Sequence, residues 1–581
     1  MASRALAGGL APQRARHRGI AASIADELLR LEFDSELRCR ALRVRRDAPP
    51  LPLSAWAATE SLLLGSGAAL ELFTLRRKEE KAVDGAHGPG TRLTLTGGSA
   101  GVEKRVQIEL YQRYPGFACY RVSYRNLSDR AVALGGWRSH DLRLLPGRSA
   151  PGVRGRATEP EFWSYCGSTH EDRRDWVQPV KPGFAQENFM GMTASDYGGG
   201  TPIIDVWRRD CGLALGHLEK SPRLLSLPVR RAGETVALAV SARLDRPLAA
   251  GEALVLPETF IAAHDGDHFA TLDTYRRLMG ERGFVFPRPP TAAYEGVWCA
   301  WGYERACTPQ LIVDTLPKVQ DLGLRWAVID DGWQNNVGDW RPDPEKFPAG
   351  SADMQRLVQD IRARFLWPRL WVTPLAAVPG SDLLHDHTDM LLLDRDGAPQ
   401  SISWWNAFYL CPAYAKTVAY TEDMVRRFIG EWGFAGLKID GQHLNGVAPC
   451  YNPAHRHQRP EESVEGLQDL LHAMFKTAVK LNPEVVMELC PCGTSYCFFN
   501  FPSMNQAPAS DPESSWQVRL KGKTLKGLIG PGAAFAGDHV ELSDGGDDFA
   551  STVGIGAVVS TKFTWPRDPK PKDSFLLTPE R

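Results

Sequence analysis

Asp440 is the residue around which chemistry is most readily assembled. It closes the segment Gly436–Gly441, a short apolar run that holds one lysine and ends in a carboxylate followed by glycine. A buried strand that stops at Asp-Gly delivers its acid to the C-terminal mouth of the strand, the face at which α/β barrels build active sites. Lys438 stands two residues earlier and so on the same side of the strand. Its ammonium there favours the ionised carboxylate, the form a nucleophile needs. The competing structural reading is that Asp440 caps the following turn.

Acids and soft polar groups recur at other strand ends. Asp330 and Asp331 follow the apolar run that begins at Trp326, Glu488 and Cys490 sit in the run that begins at Glu484, and Ser510-Asp511 follows the next. Each has a plain alternative. Asp331-Gly332 is a turn signal, Cys490 fits core packing, and Asp511 before Pro512 fits the opening of a helix. Taken together, the acids fall at the same end of successive strands and face one mouth. Two such carboxylates suggest glycoside hydrolysis, in which one attacks the anomeric carbon and the other protonates the leaving oxygen. A retaining pair stands about 5–5.5 Å apart. Adjacent acids such as Asp330-Asp331 suit hydroxyl recognition. Trp298, Trp301, Trp333, Trp404 and Trp405 could wall a sugar face.

The elements that must position these groups begin after Phe286–Pro290, a proline-rich boundary. From there the pattern reads strand, helix, strand, helix. Strands are expected at Gly296–Tyr303, Trp326–Asp330, Arg369–Thr373, Gly436–Asp440, Glu484–Cys490, Met504–Asp511, Gly532–Ala536 and Val553–Ser560, with a short extra one at Met390–Leu393. Helices are expected after Thr308-Pro309, near Asp353–Arg364, over Tyr414–Trp432, and from Ser463 as cap to Leu481. Repeated βα units of this size argue for a (β/α)8 TIM barrel. Before the boundary, Arg92–Thr96, Arg105–Tyr111, Ala118–Tyr124, Gly212–Gly216 and Glu234–Ser241 alternate apolar and polar residues, the mark of a large β-sandwich. The expected organisation is therefore a multidomain β plus α/β chain. Its parts are a disordered tail over 1–19, a β-sandwich over 20–270, a linking helix and boundary over 271–290, and the barrel over 291–581.

Composition narrows the partners. A formal net charge of −1 gives no reason to expect nucleic acid, and no window reaches the roughly 18 apolar residues of a membrane span. Eleven cysteines, an odd number scattered along the chain, argue for reduced thiols and a cytoplasmic location.

Asp330-Asp331-Gly332-Trp333, Lys438-Ile439-Asp440, Glu488-Leu489-Cys490 with Gly493, and Ser510-Asp511 with Arg519 resemble, in that order, the motifs of glycoside hydrolase family 36 over roughly residues 200–565. That family contains α-galactosidases, α-N-acetylgalactosaminidases and raffinose-synthase-type relatives. The resemblance implies an N-terminal β-supersandwich before the barrel and a retaining mechanism, with Asp440 as nucleophile and Asp511 as acid/base. It implies that Asp330, Asp331, Lys438, Cys490 and Trp298 line the sugar subsite, with Cys490 at the 2-position. Trp333, Gly493, Trp404 and Arg519 join the substrate set. No cofactor or metal is expected. The expected substrate is an oligosaccharide or glycoconjugate with terminal α-galactose, and a homo-oligomer is compatible with the family.

The chain departs from the family where Trp371-Val-Thr-Pro374 replaces a Glu-Pro-Glu, where Met390 replaces a tryptophan, and where Ser403–Asn406 stands in place of an arginine loop. The family's C-terminal β-domain has no expected counterpart, as in a truncated or divergent member. Two readings of other classes compete. One is a metal-dependent barrel hydrolase using His443, His455, His457, Cys490, Cys492 and His539. The other is an inactive carbohydrate-binding protein.

Overall fold

Alternation in the first half of the chain becomes antiparallel sheet. Val102–Tyr111 pairs with Phe117–Asn126 in unbroken register, Val106 opposite Val122 and Ile108 opposite Tyr120. Val102, Val106, Ile108 and Leu110 are buried while Arg105 between them is exposed. Each such side chain contributes about 1.5–3 kcal/mol by leaving water. These strands belong to a ten-stranded sheet, which accompanies a six-stranded and a four-stranded sheet. The computed structural model describes residues 19–147, 161–169, 171–192, 198, 200–537, 553–570 and 574–579. The expected N-terminal tail thus lies, but for residue 19, outside the described residues.

Helix α1 (Phe269–Glu281) leads away from the sheets, burying Leu272, Tyr275, Leu278 and Met279 and packing against the helix Ser515–Ile529. Eight parallel segments follow. They are β1 (Val297–Cys299), β2 (Trp326–Ile329), β3 (Trp367–Val372), β4 (Gly436–Asp440), β5 (Val486–Cys490), β6 (Ala507–Pro508), β7 (Phe535–Ala536) and β8 (Ser560–Thr561). The ladder β8-β1-β2-β3-β4-β5 is continuous. A parallel bridge between Glu488 and Gln506 carries it to β6, β6 pairs with β7, and a bridge between Ala536 and Val558 returns it to the approach of β8. The pairings run full circle.

The crossovers follow the sequence signals with some corrections. Helix α2 (Pro309–Asp321) starts where expected, with Thr308 Oγ1 accepting from the Leu311 N–H at 3.3 Å. Helix α3 is Ser351–Ala363, and α4 (Ala415–Val425) runs into a π turn through Glu431 that buries Phe428 and Ile429. Ser463 does not cap the next helix. Helix α5 (Glu462–Leu481) begins one residue earlier, and Ser463 Oγ instead donates to the carbonyls of Ala448 and Pro460. The segment expected as an extra strand at 390–393 is a 3-10 turn, Thr388–Met390, followed by isolated bridges at Leu391 and Leu393. The first strand is only three residues long, because Ala300–Ala306 turns into 3-10 helix. Between β5 and β6 stands the 3-10 segment Phe498–Ser503 rather than an α-helix; Pro502 inside it supplies no N–H for a helical ladder. Helix α6 (Ser515–Ile529) follows β6, with Ser514 accepting from the Gln517 N–H at 3.2 Å.

Candidate active site

Strand alternation sends Cys299, Arg369, Trp371, Lys438, Asp440, Glu488 and Cys490 to the inside of the ring, where they meet. Arg369 Nη1 donates to Glu488 and to Gln506, both at 2.6 Å, and its guanidinium lies 4.3 Å from the centre of the Trp326 ring. This buried cluster is the floor. Above it, Lys438 Nζ donates to Asp330 Oδ2 at 3.0 Å, and the Cys299 thiol donates to the same oxygen at 3.0 Å. The Asp331 N–H closes on Asp330 Oδ1 at 2.9 Å.

Asp440 sits at the top of β4, in register with Cys490 on β5. The indole N–H of Trp371 donates to its Oδ2 at 2.8 Å, and its Oδ1 is buried with no hydrogen-bond partner among the described residues. Burial pushes the carboxyl up to about 7. The charges of Asp511 and Asp330 push the same way, while Lys438 and the Trp371 bond pull down. Lys438 draws the Asp440 carboxyl toward its ionised form, as the sequence reading expects, but the ammonium also bonds Asp330 and desolvation outweighs its pull.

Asp511 reaches the mouth from a strained turn. Ser510 and Asp511 have φ of 59° and 39°, conformations that cost on the order of 1–3 kcal/mol each. The turn is held by three bonds to Ser510. Gly493 N–H donates to its hydroxyl at 2.8 Å, Lys521 Nζ donates to its carbonyl at 2.8 Å, and the Cys490 thiol donates to its hydroxyl at 3.6 Å. The buried Cys492 thiol, raised first by desolvation, also feels the charges of Asp440 and Asp511. It stands where both acids converge.

Asp331 is buried and already held: Arg305 donates to its Oδ2 at 3.0 and 2.8 Å, and Gln334 to its Oδ1 at 2.6 Å. Gly493 has φ 86°, a conformation that strains any other residue, and a Cβ there would fall 2.9 Å from the guanidinium of Arg173. That arginine comes from the β domain, and its carbonyl is fixed by Gln517 of α6 at 2.7 Å. Gly441 likewise makes room: a Cβ on it would fall 2.2 Å from the ring of buried His443. Burial drives His443 down to about 3, so it is neutral at ordinary pH.

Three expected sugar contacts lie elsewhere. Trp298 points out of the ring, opposite in parity to Cys299, and donates its indole N–H to Phe563 O at 2.8 Å. Trp333 packs edge-on against Phe428 and Trp432 at 5.6 and 5.7 Å, and its N–H goes to Trp371 O. Both are core. Arg519 lies on α6 with its guanidinium 5.8 Å from the Trp516 ring; no described bond joins it to the mouth. Trp404 lies in the turn Ser403–Trp405, and its side chain is outside the described residues. Trp405 is 6.1 Å from Trp371 and 5.8 Å from His443, edge-on to the latter. Of the metal set expected from sequence, His455 and His457 come together, with Cys411 and Cys450 beside them; His443 is boxed in by Trp405 and Tyr409, and His539 lies outside the described residues. Sequence reading missed Trp371, Arg305 and Arg173 as site residues. Trp371 carried a signal: it stands two residues beyond Arg369 on the same strand face.

The plan is a parallel-strand ring with carboxylates near one mouth, set beside an all-β domain. Residues 297–543 match the family model described as Melibiase, and the chain is similar to alpha-galactosidases of the glycoside hydrolase 36 type. An A type blood alpha-D-galactosamine galactosaminidase from Flavonifractor plautii is 29% identical over 502 residues, covering 83% of this chain and 44% of that protein. An alpha-galactosidase from Lactobacillus brevis superimposes with a TM-score of 0.59 at 13% identity, over 93% of this chain and 80% of that one. A variant of a GH36 alpha-galactosidase from Geobacillus stearothermophilus, solved with raffinose, gives 0.56 at 15% identity over 92% and 76%. These proteins are glycoside hydrolases of the alpha-galactosidase family. The chain spans less than half the length of the curated relatives it matches, 44% of the Flavonifractor protein and 34% of an Aspergillus alpha-galactosidase C.

Proposed function

We propose that the chain hydrolyses terminal α-linked galactosides of oligosaccharides or glycoconjugates by double displacement with retention, on a closed (β/α)8 barrel. The observation that carries this reading is the Asp440 carboxyl. One oxygen is fixed by Trp371, the other is buried with no partner among the described residues, and the charge of Asp511 bears on the carboxyl. The unpartnered oxygen attacks the anomeric carbon while Asp511 protonates the departing oxygen. Positive charge developing on the sugar favours the ionised form of Asp440. Glycosylation of Asp440 then removes its charge, and Asp511 takes a proton from the water that releases the sugar. Asp330 and Asp331, the first oriented by Lys438 and the second by Arg305, accept from sugar hydroxyls with the lone pairs these partners leave.

A second reading concerns the sugar. A relative that matches over 83% of this chain is named for galactosamine, which would place an ammonium rather than a hydroxyl at the 2-position, beside Cys490. Parallel assay of nitrophenyl α-galactoside and α-galactosaminide ranks the two.

The test of mechanism is the anomer released first. NMR of early hydrolysis of a nitrophenyl α-galactoside is expected to show the α-product. A β-configured first product would overturn the proposal.

A further inference from the structure

The loop between β4 and α5 carries a cluster that the glycosidase reading leaves unused. Cys450, His455 and His457 lie in it, and Cys411, just past the short strand Ala407–Tyr409, faces them. Cys411 Sγ is 3.3 Å from His457 Nε2, and Cys450 Sγ is 3.2 Å from His455 Nδ1. All four donor atoms lie within 4.8 Å of one another. Both cysteines and His455 are buried, and His457 is half-buried.

We propose that Cys411, Cys450, His455 and His457 bind one zinc-type divalent ion in a closed, structural site. Two thiolates and two imidazoles are a donor set zinc prefers, with Zn–S near 2.3 Å and Zn–N about 2.0–2.1 Å. Donors at the corners of a tetrahedron of that size stand roughly 3.3–3.8 Å apart. The two sulfur–nitrogen separations are already close to that range.

The outer groups match. His455 Nε2 is 2.6 Å from the Asp389 carbonyl, which accepts its N–H and leaves Nδ1 as the lone-pair nitrogen facing Cys450. His457 Nδ1 is 3.5 Å from the Glu462 carboxylate, which leaves Nε2 facing Cys411. Partners of this kind fix the tautomer and ring orientation of metal-ligating histidines. Tyr414 stacks on His455 at 4.3 Å. On binding, the ion displaces the protons of both thiols to solvent. Two thiolates then balance its two charges, so the buried site is neutral. Four protein ligands leave no open position, so the ion holds structure and performs no hydrolysis.

What it would hold is the wall of the mouth. Residues 442–460 contain only two short 3-10 turns, Gln442–Leu444 and Pro453–His455. The same loop places His443 under Gly441, and Asn445 Nδ2 donates to Thr494 Oγ1 at 2.8 Å. The metal would staple this loop to the segment that follows Ala407–Tyr409.

The test is metal analysis of the full chain, expressed with added zinc and purified without chelator, together with zinc K-edge absorption. About one zinc per chain is expected, with two sulfurs near 2.3 Å and two nitrogens near 2.0–2.1 Å. His455→Ala and Cys411→Ser should each lower bound zinc at least tenfold, while the exposed His385→Ala retains it. Should those variants fold poorly, the spectrum of the unaltered chain still decides. Zinc below about a tenth per chain, a shell without sulfur, a Cys411–Cys450 disulfide in freshly prepared protein, or zinc retained by both variants would each overturn the site.

Discussion

The indole N–H of Trp371 on β3 donates to Oδ2 of Asp440 on β4 at 2.8 Å. This bond favours the ionised carboxylate against burial, and the other oxygen is buried with no hydrogen-bond partner among the described residues. It also makes the behaviour of Asp440 with pH open to experiment.

With Asp440 pushed up to about 7, kcat/KM should fall below that pH, about tenfold per unit, as the nucleophile takes up its proton. Trp371→Phe removes a bond to the charged form, so this acid limb should move to higher pH. The effect on stability has the opposite slope. A carboxyl whose folded pKa lies above its unfolded value, about 3.9, stabilises the fold at low pH, and that contribution is lost as pH rises through 7. Asp440→Asn should therefore gain thermal stability relative to the parent between pH 4 and 8. A flat difference across that window would contradict the assignment.

Asp511→Ala should spare the first step on substrates with good leaving groups and slow release of the sugar. Azide, which needs no proton removed, should restore turnover and yield an azide of retained α configuration. Full activity of this variant on a natural α-galactoside would remove Asp511 from its role. Glu488 is then a poor substitute, since it is bound to Arg369, and the exposed Glu513 becomes the acid to examine.

Asp331→Asn should lower kcat/KM on the order of ten- to a hundredfold, since hydrogen bonds to a charged group contribute about 1.5–3 kcal/mol. Arg305 is itself 63% exposed, so Arg305→Ala should cost less than Asp331→Asn. A loss in Asp331→Asn as large as that in Asp440→Asn would mean that it takes part in bond chemistry.

Arg369→Met leaves Glu488 charged and buried, which should destabilise the chain by about 3–5 kcal/mol. Arg369→Met combined with Glu488→Met should recover most of that loss. Denaturation in urea measures both. If the double variant were as unstable as the single, the pair would not be the unit that matters.

The register of Lys438 and Asp440 was readable because strand alternation is local, and the same holds for the acids at the ends of β2 and β5. Trp298 was misplaced for the same reason: one residue of parity sends it outward while Cys299 turns in, and nothing nearby fixes which. Trp333 looked like a wall residue because its motif is, yet Phe428 and Trp432, nearly a hundred residues on, claim its ring. Arg173 was invisible, since only the packing of the β domain brings it to Gly493. His455 and His457 were legible among six candidate ligands, but Cys411 joins them through tertiary folding alone.

The ring is not equally strong around its circumference. Asp440 stands on β4, paired along its length with β3 on one side and β5 on the other. Asp511 hangs just past β6, a two-residue strand whose approach meets β5 at an isolated bridge from Glu488 to Gln506 and at bonds of Asn505 with Val485 and Met487. Amide protons along that seam should exchange with solvent sooner than those of β4. The proposed nucleophile and its proton donor are thus mounted on supports of different stiffness. Opening at the seam would draw Asp511 back from the sugar while Asp440 keeps its place. Product release would then proceed by yielding on one side of the mouth only.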